Sequence, residues 1–491
     1  MFQRGIFFMQ QEPLTYRTRP WTNEWMYSLV IDRFHDGKDR VAVSNNRKGF
    51  GTVDELRQVC GGTIEGIRKQ LPYIQKLGCT CILLTPFLEN NSGYYHGYAI
   101  QDFLKVDERF GTLAELQHLI QEAHALDIRV VMDVVLNHTG NNWSYKKEHP
   151  TYAKGRSFAF SHWHRDDKPQ PIALRNEKLY SKKGHIVNWD AYPESWEGDV
   201  FELKDLTWTE DKKGRLVLDA MVDVYLYWVK ELGIDGFRLD ALKHIRPSLA
   251  QKFCERIKAA VAQMGYTHFL LIGEVVGDLD LITSYQGLDA YYNFPFYFGW
   301  NQKVSDGLVF DAFHLENNST LIPLNFLDNH DQIGLSPKRR IGKVLSDEGI
   351  IANLFLLGLM PGISCLYYGT EQGLMGEGEM DHDIRECLFD RGSNGDVLDQ
   401  CSNLYLKISE VISLAKKIKA RTHRIEQQTL NSVSQVYQCF DAQGVGIYSI
   451  TITSVETKKD VEYIEGKLVY ALSGFWDKTG ECSICLKVVK G

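Results

Sequence analysis

In the stretch GFRLDALKHI, Gly236 to Ile245, an apolar run carries two opposite charges two positions apart. Read as a strand, it points Arg238 and Asp240 to the same side, because side chains alternate across a pleated sheet. A packing position gains little from such a pair, whereas a strand whose C-terminal end opens on a reaction site has a use for it. A buried Arg–Asp pair without function is the other reading.

Outward from this stretch, strand-like runs alternate with amphipathic helices. Upstream lie MYSLVID (26–32), CTCILLTPF (79–87) and RVVMDVVL (129–136); the run at 234–240 is followed by others at 268–273, 289–294, 320–326 and 363–368, eight in all. Ile64, Ile67, Leu71, Ile74 and Leu77 recur at helical spacing and predict one helix. Thr112 and Glu115 stand in capping-box positions before a second, and further helices are expected at 212–232, 247–264 and 402–420. Eight strands with helices between them predict an α/β (β/α)8 TIM barrel, whose chemistry sits at the C-terminal strand ends.

The alternation breaks once. From Asn137 to Leu206 the chain is rich in His, Trp, Lys and Asn without sustained periodicity, too long for a loop and therefore an inserted subdomain after strand 3. Beyond 420, VGIYSITIT and KLVYALSGF alternate as antiparallel strands do. The predicted organisation is a barrel from 1–136 and 207–420, an insertion at 137–206 and a C-terminal β domain at 421–491, a β-sandwich by the resemblance described below. No internal repeat or low-complexity tract occurs.

The 491 residues are 44% hydrophobic with a net charge of -8, and acidic and basic residues are mixed throughout. This favours neither nucleic acid nor an anionic membrane as partner and suits a neutral polar substrate. The opening MFQRGIFFMQQEP lacks a signal-peptide core, which predicts a cytoplasmic protein, although signal-independent export is compatible with it. The ten cysteines lie mostly in apolar patterns suited to free thiols and a reducing compartment. Cys482 and Cys485 form a CxxC within an apparent strand, where residues three apart face opposite ways and do not grip one metal.

Asp240 follows GFRL, Glu274 follows FLLIG, and Asp331 closes FLDNHD. A single carboxylate at a strand end commonly caps the next helix. Three at equivalent points of a barrel, one near an Arg and one beside a His, indicate catalysis.

Four of these segments, DVVLNH (133–138), GFRLDALKH (236–244), GEV (273–275) and FLDNHD (326–331), resemble in order the signature regions of the α-amylase family, glycoside hydrolase family 13. HGYAIQDFLKVDERFGT (96–112) and PGISCLYYGTEQG (361–373) are similar to two more, so the likeness spans roughly residues 24–420. The resemblance implies hydrolysis of α-1,4-glucans with retention of configuration. It makes Asp240 the nucleophile, Glu274 the general acid/base and Asp331 a third carboxylate that grips sugar hydroxyls. His138 and His330 match hydroxyl-binding histidines, Tyr98 a ring-stacking aromatic, and His96 lines the same wall. Lys243 and His244 match a pair on the leaving-group side.

Acetal cleavage by this route needs one ionised and one protonated carboxyl. Arg238 is expected to favour the ionised form of Asp240, and negative neighbours to raise the pKa of Glu274. The aromatic clusters FAFSHWHRD (158–166) and NWDAYPESW (188–196) suit either sugar stacking or the insertion's own core. A transglycosylase would use the same groups, and a non-catalytic binding protein on this fold would not require them. Glucan chain length and oligomeric state are left open.

No cofactor is expected to be required. The family's calcium positions are matched by Asn137 and by the backbone carbonyl of His244, but LKDLT (203–207) has Thr207 where an Asp is usual. Near the first strand, Lys38 in DRFHDGKDR and Thr63 replace helpful ligands of a second site. Calcium is therefore expected to bind weakly or not at all, and no metal ligand is assigned.

Overall fold

A computed structural model describes residues 18–43, 46–91, 93–305, 320–390, 395–431, 434–455, 467–476 and 482–490, with side chains described up to residue 450 except at 303, 305 and 427–435. The opening segment and its signal-peptide reading lie outside the described residues.

Eight parallel strands close into a barrel in chain order: β1 (Trp25–Leu29), β2 (Cys81–Leu84), β3 (Arg129–Val135), β4 (Gly236–Asp240), β5 (Leu270–Gly273), β6 (Ala290–Tyr292), β7 (Ile322–Phe326) and β8 (Ile363–Tyr367), with β8 pairing back onto β1. β1 to β5 and β8 are buried along their whole length. This explains their continuous apolar runs: inward side chains fill the barrel and outward ones meet helices.

The helices that matter for placement are α1 (Ile64–Lys69), α2 (Leu71–Leu77), α3 (Leu113–Ala125), α4 (Lys212–Leu232), α5 (Pro247–Gln263), α6 (Phe294–Ser305), α7 (Asp347–Leu359) and α8 (Asn403–Lys419). The helix expected over 64–77 is two helices, broken at Gln70. Pro72 lacks an N–H and its ring crowds the carbonyl four residues back, so the chain restarts with Pro72 in the first turn of α2. Before α3, Thr112 and Glu115 make both bonds of the capping box.

Between β3 and α4 the chain builds two small antiparallel pairs, His138–Thr139 with Lys204–Asp205 and Trp143–Tyr145 with Phe160–Trp163. Trp143 packs on Tyr145, Phe160 and Tyr180, and Trp163 on Phe160 and Tyr180. The first aromatic cluster is thus part of this segment's own core. Strands Arg424–Asn431, Ser434–Phe440, Gly446–Val455, Lys467–Trp476 and Cys482–Lys490 form one five-stranded antiparallel sheet. The expected sandwich is a single sheet among the described residues.

Cys60 and Cys387 depart from the free-thiol expectation, because they are joined in a disulfide. Their loops meet in a small apolar cluster with Leu56, Phe389 and Phe50 that no periodicity in the sequence reveals. Cys79, Cys81, Cys254, Cys365 and Cys439 are buried free thiols and Cys401 is an exposed one, while the side chains of Cys482 and Cys485 lie outside the described residues. No helix among the described residues is long and apolar enough to cross a membrane.

Helix α7 is buried on every side from Gly349 to Leu359, because it lies against α8 and against two strands of the C-terminal sheet. Leu357→Ala should therefore cost about 2–5 kcal/mol of unfolding free energy, read from urea denaturation. A loss below about 1 kcal/mol would mean that the surroundings collapse around the cavity.

Candidate active site

Register places the charges. Arg238 on β4 stands opposite Asp133 on β3, and Leu239 opposite Gly273 on β5. The next residues, Asp240 and Glu274, therefore emerge side by side at the C-terminal rim, where the Glu274 N–H donates to the Leu239 carbonyl at 3.0 Å. A Cβ at Gly273 would come 2.5 Å from Leu288 Cδ1, so any larger residue there requires the Leu288 side chain to move.

Arg238 is fully buried and its guanidinium holds three carboxylates. Nη1 donates to Asp240 Oδ1 at 2.6 Å and to both Asp133 oxygens at 2.8 and 2.9 Å, and Nη2 donates to Glu274 Oε1. Glu274 Oε2 accepts the Ala241 N–H at 2.8 Å.

A loop between β2 and α3 adds the facing wall. Gly97, at φ +92° with Pro86 O 2.2 Å from where a Cβ would sit, lets the loop approach the barrel closely. Tyr98 thereby reaches Asp133, donating to Oδ2 at 2.8 Å. Its hydroxyl is also 2.8 Å from His330 Nε2, and the two rings stack at 14°. Since the Tyr98 proton is committed to Asp133, His330 Nε2 is the donor here. The same nitrogen lies 3.1 Å from Asp331 Oδ2. His96 stacks on Tyr98, and His138 Nε2 lies 3.2 Å from the Tyr98 carbonyl.

Eight of the ten residues singled out from the sequence meet at this rim: Asp240, Glu274, Asp331, Arg238, His96, Tyr98, His138 and His330. Lys243 and His244 turn away to the inserted segment. Lys243 Nζ pairs with Asp190, and His244 Nδ1 donates to the Ser195 carbonyl at 2.8 Å. Trp189 packs against His244 and against Phe201, which is 70% exposed, and Tyr192 against Trp196. Of the two aromatic clusters, the second is the one with an exposed large ring, Tyr192 at 41%.

Two members of the site were not singled out from the sequence. Asp133 is the lone carboxylate inside the buried strand RVVMDVV, a signal that was there to be used. Arg385 was out of reach of any local pattern. It comes from a distant loop, donating from Nε to the His330 carbonyl at 2.7 Å and from Nη2 to Asp331 Oδ1 at 2.8 Å.

Electrostatics correct one expectation. Burial raises Asp240 and Glu274 alike, each to about 7, against the opposing pull of Arg238. Arg238 does not single out Asp240 because it bonds Glu274 as well. Burial also raises Asp133, to about 6. Asp331 differs: burial pushes it up, but His330 and Arg385 outweigh that and hold it well below the usual range. Burial lowers His96 to about 3 and His138 and His244 to about 4, leaving neutral imidazoles that hydrogen-bond without charge.

The model of the α-amylase catalytic domain matches residues 29–429. The chain belongs to the α-amylase family. It is 31% identical to α-amylase 2 of Schwanniomyces occidentalis over 80% of this chain and 73% of that one. It is 27% identical to the cyclomaltodextrin glucanotransferase of Klebsiella oxytoca over 71% of this chain and 58% of that one. A solved α-amylase from Anoxybacillus superposes with a TM-score of 0.70 at 26% identity, covering 96% of this chain and 98% of the other. The barrel and the glycoside-hydrolase class implied by the sequence are those of this family.

A family member working through Asp240 and Glu274 needs one proton on the pair. kcat/KM should therefore be bell-shaped in pH, with its alkaline limb near 7, where the second carboxyl ionises. Because folding raises these pKa values from about 4, the pair's stabilising contribution is complete below pH 4 and lost as pH rises through 7. Glu274→Gln removes part of that loss, so its Tm relative to the parent should increase between pH 5 and pH 8. A pH-independent Tm difference would remove Glu274 as a carrier of the raised pKa.

Proposed function

We propose that the chain is a retaining α-glucan hydrolase that cleaves α-1,4-glucosidic bonds of starch, glycogen or maltooligosaccharides. The observation that carries this reading is Arg238 bonded to both Asp240 and Glu274, beside an ionised Asp331. One guanidinium spanning two carboxylates supports the short separation, about 5–5.5 Å, of a nucleophile and its acid/base partner.

Asp240 attacks the anomeric carbon while Glu274 protonates the leaving oxygen. Glu274, then a base, activates the water that releases the sugar. Asp331, which His330 and Arg385 keep ionised, accepts bonds from sugar hydroxyls. Tyr98 offers its ring to the sugar in the cleavage position. Lys243 and His244, beside the aromatic segment 189–201, hold the leaving-group side. Transfer to a sugar hydroxyl instead of water is a second reading, favoured by the glucanotransferase among the relatives.

Asp240→Asn and Glu274→Gln should each lower turnover on maltooligosaccharides by roughly 10³-fold or more while the fold is retained, as judged by circular dichroism and melting. Near-parental turnover in either variant would take that residue out of its role. Early-time NMR should show the α anomer released first, and initial β anomer would mean inversion. Resolving products over time separates hydrolysis from transfer.

Calcium is not required in this reading. At the first-strand position, Arg40 forks onto Asp36 with Nη2 2.7 Å from Oδ2, Lys69 donates to the Gly37 carbonyl at 2.6 Å and Lys38 lies 3.7 Å from Asp36, a concentration of positive charge that supports weak cation binding there. Beside the insertion, the whole Asn137 amide and both Asp205 oxygens are buried without a well-formed hydrogen bond, and burial holds the Asp205 carboxyl well above its usual range, so their oxygens would offer a hard cation only a weak site. Asp205 thus supplies a carboxylate two residues before Thr207, where the sequence suggested a missing one. A cation there would tie the end of β3 to the inserted segment. With one carboxylate the affinity is low. EDTA should shift Tm by no more than about 2 °C and leave most activity, and Asp205→Asn should abolish any calcium response. Loss of activity restored only by Ca²⁺ would overturn this.

A further inference from the structure

At the end of the barrel opposite the carboxylates, the segment leading into β1, Thr80 before β2 and the last turn of α8 line a cavity of about 230 Å³. Its wall carries Arg19, Lys416 and Lys419 against one carboxylate, Glu24. That carboxylate is already shared: Glu24 Oε1 lies 2.7 Å from Arg19 Nε and 3.2 Å from Arg129 Nη1. Of the acidic groups nearby, Asp127 faces Arg19, and Asp235 acts on Arg129 while bonded to His124.

Neither lysine pairs with a carboxylate among the described residues. Lys416 Nζ donates to the Gly78 carbonyl at 2.6 Å and Lys419 Nζ to the Gly362 carbonyl at 2.8 Å. An ammonium has three donors, so each lysine keeps two in hand. Desolvation without a countercharge lowers Lys419 to about 8, and burial lowers Lys416 as well. Thr22, Asn23 and Thr80 add neutral polar groups, and Trp25, Gly358 and Ala420 complete the lining. Arg19 is held by both Glu24 oxygens, which Arg129 also draws on, so the two ammonium groups around this void are an excess of donors and of positive charge without a carboxylate of their own.

We propose that this cavity binds a phosphate group, held by Lys416, Lys419 and Arg19. A doubly charged tetrahedral anion matches the charge excess and accepts from several donors at once, which a monocarboxylate does less well. The phosphate comes either from inorganic phosphate or from a small sugar phosphate, and the volume beyond one phosphate leaves room for part of a sugar. The site lies at the opposite end of the barrel from the carboxylates and is independent of the reading given to them.

Thermal shift and isothermal calorimetry with the full chain test this, using inorganic phosphate and a hexose monophosphate as separate ligands at constant ionic strength. Saturable heat and a Tm rise of about 1–3 °C are expected, retained in Glu274→Gln and lost in Lys416→Met/Lys419→Met. The tighter of the two ligands identifies the source. Amine-directed labelling of the parent, mapped by mass spectrometry, is a check that needs no variant. Phosphate should slow modification of Lys416 and Lys419 at least about threefold relative to chloride. No saturable heat, a response that survives the double substitution, or equal labelling in phosphate and chloride would overturn the proposal.

Discussion

One buried guanidinium organises the catalytic end of the barrel. Arg238 brings three carboxylates from β3, β4 and the end of β5 onto two nitrogens, and all four side chains are buried. Burying any of these charges alone costs several kcal/mol, and a pair recovers that only when its hydrogen bonds are complete. The barrel approaches the condition through register: Arg238 is level with Asp133, so both terminal nitrogens find carboxylates on neighbouring strands, and Nε alone is left without a partner among the described residues. A one-residue slip of β4 would turn Arg238 outward among helices and leave the carboxylates unpaired.

The third carboxylate of the proposed trio is held by a separate device. Asp331 takes its charge balance from His330, its neighbour in sequence, and from Arg385, which arrives from another loop. Arg385 also grips the His330 carbonyl, fixing the backbone from which both side chains project. Two cationic arrangements thus act on adjacent carboxylates with opposite results. Burial wins at Asp240 and Glu274, where one guanidinium is divided among three partners, and loses at Asp331, which has His330 against one oxygen and Arg385, itself shared with Asp381, against the other.

How much of this could be read from the sequence follows from the range of each interaction. Strands buried on both faces leave continuous apolar runs, and helices against them leave three- and four-residue spacing, so all eight strands were legible. So were the residues that end them, because a carboxylate after such a run is conspicuous. The split at Gln70 was also written in the chain, as Pro72, but apolar spacing continued across it and masked the break. Arg385 and the Cys60–Cys387 bond were not legible. Each depends on loops that meet only after the barrel has closed, and loop paths leave no period in the sequence.

The hydrogen bonds of Glu274 lead one step further. Both of its oxygens are occupied, one by Arg238 and one by the Ala241 N–H, and both partners are donors. A carboxyl that accepts on both sides is held for its ionised form. A general acid must instead carry a proton on an oxygen that points at the leaving group. For the proposed general-acid role, then, the hydrogen bonds of the ligand-free site leave a proton on Glu274 poorly placed. Asp240 accepts from Arg238 through Oδ1, which leaves Oδ2 as the less engaged position. If Asp240 and Glu274 hold the proposed roles, productive binding has to bring a glycosidic oxygen close enough to draw one Glu274 oxygen from its donor. It must also shift the proton onto Glu274 and leave Asp240 ionised against Arg238. The division of labour between the two carboxylates is on this account completed by the substrate, with Arg238 keeping both within reach of either state.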